Sequence, residues 1–382
     1  MARLQKRLER GEVKLECNGP SGFLRSVLRE LDVAVSSQTL VFSKTSFQFR
    51  KISPRKPRAL YFNDDVYVGW VSEGKLEIIS FDPMQGAIFY ILENGPADKA
   101  AFRRAELDCT QCHVAAATRG VPGTFLRSVH VSPTGTLSGK GASYLTGQES
   151  PFAQRFGGWY VTGRHGQQRH MGNVTGANLT SLTDQIDLGQ YLSPYSDIVA
   201  QMVQAHQTQM HNLITLVNYR TRLALHAGPL SEETRKQYEE PAEELIQYML
   251  FANETPFEDP VESSNSYARD FAARGLRDER GRSLRDFDLR SRLFRYPCSY
   301  LLYSEAFDSI PEPAKAYIYR RLYEVLTGHD QSPPFARLSA ADRRNILEIL
   351  LATKQGLPTR WTASAVAASA RLQSTVPERK NQ

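Results

Sequence analysis

Residues 45–92 read TSFQFRKISPRKPRALYFNDDVYVGWVSEGKLEIISFDPMQGAIFYIL. Runs of β-branched and aromatic residues are cut by Pro, by Asn-Asp, by Glu-Gly and by Met-Gln-Gly. Apolar runs bounded by such turn formers predict three to five antiparallel strands, so a small sheet is expected over about 38–93. Asp64 and Asp65, set beside the aromatics, read as a hairpin turn rather than as catalytic acids.

Outward from this stretch the pattern changes. Residues 1–35 read as a basic, partly helical lead-in. NGPADKAAFRRAEL (94–107) has Pro near its start and good helix formers after it, so a short helix is expected to lead into Cys109. Residues 118–178 are rich in Gly, Ser, Thr and Pro, and an irregular stretch of that length inside a compact domain suggests a wrapped ligand. From Pro194 to Gly228 the apolar residues recur at helical spacing. Further helices are expected over 231–253, 265–275, 299–306, 312–327 and 339–354, the last with Ser339 as N-cap and Gly356 with Pro358 as its stop. The small, polar tail is expected to be disordered. The fold class expected is α+β.

A chain of 382 residues exceeds the size at which one core usually keeps growing, so two domains, or one with a large extension, are expected. With 41% apolar and 23% charged residues the composition is that of a folded globular protein. No apolar run is long enough to cross a bilayer. The net charge of +6 is mild, with basic residues read as spread rather than stacked, so nucleic acid is not the expected partner. Such a surface suits an acidic protein or an anionic membrane face. Four cysteines are too few for a disulfide scaffold, and MARLQKRLERGEVKLE lacks the apolar core of a secretory signal.

Two of those cysteines lie in CTQCH, residues 109–113. Cys109 and Cys112 are one helical turn apart, so both sulfurs can reach one side of a flat ring while His113 faces the ring's metal. This is the pattern of c-type haem attachment: two thioethers and a proximal histidine, one covalent haem c per chain. A thioredoxin-like CxxC expects a βαβ context that the flanks do not suggest, and zinc needs a closed ligand set with no second Cys or His pair in view. Covalent haem implies maturation outside the cytoplasm, hence a periplasmic or otherwise extracytoplasmic location. There a disulfide between Cys17 and Cys298 is chemically permissible, with unpaired thiols the alternative.

Candidates for the other side of the iron fall in two groups. His165, His170 and Met171 sit in GRHGQQRHMGN; His206, Met210 and His211 sit in AHQTQMHN. At roughly 100° per residue His206 and Met210 share an apolar stripe and face inward, while His211 lies toward the flank. Each has a plainer reading, as a hydrogen-bonded core histidine or as packing, and Arg164 and Arg169 could bind haem propionates. Trp159 and Tyr160 could stack on a porphyrin, although core packing is the default. Methionine as sixth ligand favours electron transfer at a high potential; an open position permits chemistry on small molecules.

ALYFNDDVYVGWV, CTQCH, RFGGWYVTGRHGQQRHMGN, HQTQMHN and LFRYPCSYLLYSEAFDSIPEPAKAYIYRRLYEVLTG together resemble a family of large bacterial exported c-type cytochromes with a single CxxCH. The likeness spans about residues 40–361. It implies a monohaem protein with His113 as proximal ligand and a shared site drawn from the six candidate residues. The opening stretch as given does not read as an export signal, so the expectation is either a cytosolic chain or a mature form whose signal has been removed. The organisation expected is a lead-in (1–35), a sheet with the haem-binding region (36–185), a helical domain contributing to the haem pocket (186–362) and a tail (363–382). One-electron transfer to a redox partner protein, acidic in view of the chain's charge, is the function expected. The alternatives are a haem enzyme of peroxidase or oxidase type with distal histidines, and a non-haem zinc or thiol module.

Overall fold

The computed structural model describes residues 1–93, 100–139, 141–173, 179–229 and 231–361. It is α+β, built on a seven-stranded antiparallel sheet. The strands are β1 (Thr39–Val41), β2 (Arg58–Phe62), β3 (Val66–Trp70), β4 (Leu76–Asp82), β5 (Gly86–Leu92) and β6 (Phe102–Arg104), followed by the hairpin β7 (Leu126–Val129) and β8 (Ser143–Thr146), and by β9 (Trp159–Tyr160). The sheet order is β6-β5-β4-β3-β2-β1-β9, with β7 and β8 paired separately.

Five strands fall inside the expected range, the last four joined by short turns. Asn63 Oδ1 accepts from the backbone N–H groups of Asp65 and Val66, which closes the β2–β3 hairpin, and Asp82 Oδ1 does the same for Met84 and Gln85 before Gly86 at φ +73°. The segment expected as a helix before Cys109 differs. Residues 94–99 lie outside the described residues, and 102–104 instead pair with β5 as an edge strand. An open edge of β5 outweighs the helix propensity of three residues. The tail beyond 361 also lies outside the described residues.

Alternating side chains split the sheet between two cores. Tyr61, Val66, Val68, Trp70, Leu76, Ile78 and Tyr90 pack with Phe23, Leu24, Val27 and Leu28 on one face. The lead-in is therefore a cover for the sheet, through α1 (Ala2–Glu9) and α2 (Leu24–Glu30). Phe62, Tyr67, Phe81 and Phe89 face the other way, into the helical half. There α3 (Glu106–His113) carries the CxxCH, and α4 (Ile198–His226), α5 (Glu232–Met249), α6 (Tyr267–Ala273), α7 (Glu305–Asp308), α8 (Glu312–Leu326) and α9 (Ala340–Thr353) follow.

Helix α4 is central, with 22 of its 29 residues buried. Its N-cap is Asp197, whose carboxylate accepts from the Ala200 N–H at 2.9 Å and from Ser263 Oγ at 2.7 Å. Because sheet and helices cover it on nearly all sides, its polar residues must find partners inside the protein, and they include His206, His211 and Asn212.

Candidate functional site

Helix α3 holds Cys109 half-buried against the helical core and leaves Cys112 exposed. Burial pushes the Cys109 thiol up to about 11, so it stays protonated at neutral pH. The chain after the helix turns back on itself. Thr118 Oγ1 accepts from the Ala115 N–H at 3.1 Å, and the Gly123 N–H donates to the His113 carbonyl at 3.0 Å. In return His113 Nδ1 lies 2.9 Å from the Gly123 carbonyl oxygen. A carbonyl only accepts, so the ring proton sits on Nδ1 and the Nε2 lone pair is free. Phe89 and Phe125 flank the imidazole, with ring centroids 5.1 and 5.5 Å away. Burial also lowers the pKa of His113, favouring the neutral ring that a metal requires.

The loop that anchors His113 is itself held by α4. Asn212 Oδ1 accepts from the Thr124 N–H at 3.0 Å, and its Nδ2 donates to the Thr124 carbonyl at 2.8 Å. Position 123 must be glycine for this clamp, since a Cβ there would lie 2.1 Å from Asn212 Oδ1. Asn212 thus reaches His113 through one peptide unit.

His113 and Cys112 border a cleft with a cavity volume of about 140 Å³ that opens to solvent. Leu60, Tyr67 and Ile79 of the sheet line it together with Trp159, and Arg58, Glu77, Arg127 and Gln204 add polar groups. Arg58 pairs with Glu77 across the strands, yet its Nε is buried without a partner. Gly69 makes room for the guanidinium, since a Cβ there would stand 2.6 Å from Arg58 Nη2.

No family model, curated protein or solved structure matches the chain.

The six residues offered for the far side of the iron are not brought together, and none lines the cleft. His206 is fully buried, with Nδ1 2.7 Å from Gln148 Oε1 and Nε2 2.8 Å from Ser299 Oγ. It stacks on Phe251 at 4.4 Å, and burial pushes its pKa down to about 3. Both nitrogens are used, so it is a satisfied core histidine. Met210 is core packing, fully buried.

His211 is buried too, contrary to the expected flank position, because Phe81 of the sheet stacks on its ring at 3.9 Å. Its Nδ1 meets Tyr67 Oη at 3.1 Å, while its Nε2 makes no well-formed hydrogen bond among the described residues, although the Asp64 backbone lies near enough to the ring to favour its charged form. Since Tyr67 lines the cleft, His211 reaches it through one intermediary.

His165 and His170 form a pair with 3.1 Å between their Nε2 atoms. His170 Nδ1 accepts from the Gly172 N–H at 2.9 Å, which leaves its proton on Nε2; His165 Nδ1 donates to the Gln168 carbonyl at 2.9 Å, which frees its Nε2 to accept. This tautomer pattern accounts for the contact as a hydrogen bond that fastens the Gly-rich loop. Met171 Sδ accepts from Ser128 Oγ at 3.7 Å. Arg164 is exposed beside Glu262, and Arg169 is exposed. Trp159 borders the cleft, whereas Tyr160 faces the opposite core.

Cys17 is exposed and Cys298 fully buried, each a free thiol, so the two do not pair. Among the described residues no group of three or more His, Cys, Asp and Glu could hold a metal, which leaves a closed zinc site without its ligands. The sequence reading missed Asn212, Gly123, Arg58 and Tyr67. A signal existed for one of them: Arg58 is a charge opening a run of strand formers, whereas Asn212 is one of many polar residues in its helix.

Proposed function

We propose that Cys109 and Cys112 hold one haem c through thioether bonds, that His113 Nε2 is its iron ligand, and that the protein is a monohaem c-type cytochrome working in one-electron transfer outside the cytoplasm. The observation that carries this reading is the His113 ring: Nδ1 fixed on the Gly123 carbonyl, Nε2 unpartnered at the edge of a cleft. A ligating histidine almost always donates its other N–H to such a group, which sets the tautomer and the ring orientation. The orphaned Nε of Arg58 fits as well, since a carboxylate of the bound group would satisfy it.

When bound, haem supplies a one-electron couple whose potential depends on ligation, burial and nearby hydrogen bonds. The chain supplies the rest. Asn212 and Gly123 orient the imidazole, Arg58 and Arg127 place positive charge at the cleft, and Leu60, Ile79 and Trp159 exclude water from its wall.

A second reading, a haem enzyme with an open sixth position, is favoured by one observation: among the described residues, no histidine or methionine other than His113 lines the cleft. In that reading Tyr67 and Gln204, rather than the loop or helix histidines, are the polar groups available to a small molecule. Carbon monoxide added to the reduced protein separates the two: prompt binding supports the open site, and no response supports a six-coordinate carrier.

The haem reading itself is tested by His113→Ala in protein made in a host that attaches haem c. The expected result is that the haem remains covalently bound through the cysteines while the visible spectrum changes with the lost ligand. A spectrum identical to that of the unaltered protein contradicts the assignment.

A further inference from the structure

Residues 44–58, KTSFQFRKISPRKPR, carry six basic side chains and no acidic one. The formal net charge of the whole chain is also +6, so the remainder is neutral on balance. This corrects the expectation that the basic residues are spread. The segment joins β1 to β2 and flanks the cleft, of which Thr45 and Arg58 form part of the lining.

Little of that charge is neutralised. Arg58 pairs with Glu77, Lys56 pairs with Glu73 at 2.8 Å, and Lys51 donates to the Glu73 backbone carbonyl. Lys44, Arg50 and Arg55 have no carboxylate partner among the described residues. Two large aromatics stand out of the same segment, Phe47 at 48% and Phe49 at 45% exposure, with the Arg50 guanidinium 5.8 Å from the Phe49 ring. Exposed aromatic rings beside arginine are what protein interfaces use as anchors, while a basic rim steers an acidic partner into place.

We propose that residues 44–58 are the docking surface for an acidic redox partner protein, which they bring to the mouth of the cleft beside Cys112 and His113. The purpose of this surface rests on the haem reading; its capacity to bind does not. A protein partner is favoured over a membrane because the only helix in the segment, Phe49–Lys51, is a single short turn with no amphipathic face to lie in a bilayer interface. It is favoured over nucleic acid because the charge is confined to one short segment rather than drawn out along a groove.

The probe is poly-L-glutamate, titrated against the full chain at low salt. Binding that weakens as salt is added is expected, with K44Q/R50Q/K51Q/R55Q reducing affinity by roughly tenfold or more. The set R220Q/R235Q/R290Q/R360Q removes the same charge from exposed positions elsewhere and is expected to change affinity less than about twofold. Surface changes of this kind rarely disturb the fold. The double change F47S/F49S is expected to weaken binding further at physiological salt, where screening removes much of the electrostatic term. Absence of binding, an equal loss in both charge sets, or tighter binding of duplex DNA or phosphatidylglycerol vesicles through the same four residues overturns the proposal. Because binding is read whether or not haem is attached, a colourless protein that still binds would remove the proposed function and leave the docking surface standing.

Discussion

Lowering the pH from 7 to 5 loads protons preferentially onto the unfolded chain, and three histidines set the size of the effect. Burial pushes His206 and His211 down to about 3 and His170 down to about 4, against an ordinary value near 6.5. Their folded-state values are depressed, so their contribution to stability is complete above the unfolded value and is lost as pH falls from 6.5 toward 3 or 4. At about 1.4 kcal/mol per pH unit per group, each costs about 2 kcal/mol between pH 7 and 5. Glu254 works against them. Burial raises it to about 7, so its penalty, present above an ordinary value near 4.5, is relieved by about 2 kcal/mol over the same interval. Asp65 and Asp197, raised by burial, act in the direction of Glu254. The histidines and Glu254 together leave an expected net loss of about 4 kcal/mol, which the two aspartates reduce. Urea unfolding at both pH values measures it, and His206→Leu isolates one group: that variant should be less stable at pH 7, yet its loss between pH 7 and 5 should be smaller by about 2 kcal/mol. An unchanged pH dependence in that variant would refute the picture of a neutral, buried His206.

Other substitutions probe the site and its supports. Asn212→Ala strips both partners from the Thr124 backbone and should cost about 2 kcal/mol by denaturant unfolding; in the haem-loaded protein it should shift the reduction potential, which a purely structural loss elsewhere would not. Gly123→Ala drives a methyl into Asn212 Oδ1 and should destabilise the chain by about 1–3 kcal/mol, a penalty expected to shrink in the Asn212→Ala background. Arg285, whose guanidinium centre is 4.6 Å from the Phe271 ring and 4.4 Å from the Tyr300 ring, pairs with Asp64; Arg285→Ala should cost about 3 kcal/mol in thermal or chemical unfolding, at the low end for such pairs because Asp64 is partly exposed.

The strands were legible because β-branched and aromatic runs and turn chemistry agree over residues 58–92, and the helices because their apolar spacing is long and cleanly capped. Helix α9 (Ala340–Thr353) begins one residue after its predicted cap Ser339, and α8 (Glu312–Leu326) ends one residue short of the expected 327. Strand β6 was illegible for the opposite reason: three residues owe their conformation to a neighbouring edge rather than to their own pattern. The Gly-rich stretch, expected to wrap a ligand, lends Thr124, Phe125, Leu126, Arg127 and Trp159 to the cleft, and part of it forms the β7–β8 hairpin and a loop tied down by Arg155, which donates to the carbonyls of Ser150 and Gln148.

At the candidate site, the local motif could be read along the chain and the distant contacts could not. CxxCH fixes its own geometry within one helical segment, whereas the roles of His206 and His211 depend on Gln148, Ser299, Tyr67 and Phe81, which come from far along the chain. Asp64 belongs to a hairpin turn, as its neighbours suggested, yet it also serves Arg285 more than 200 residues away. No local pattern announces such a pairing.

The most direct measurement is the intact mass of the denatured chain after expression alongside a haem-c maturation system, read together with its absorption spectrum. The account predicts the added mass of a single haem, retained through acid extraction and lost when Cys109 and Cys112 are both replaced by serine, together with a Soret band in the folded protein. A colourless chain at its unmodified mass contradicts it.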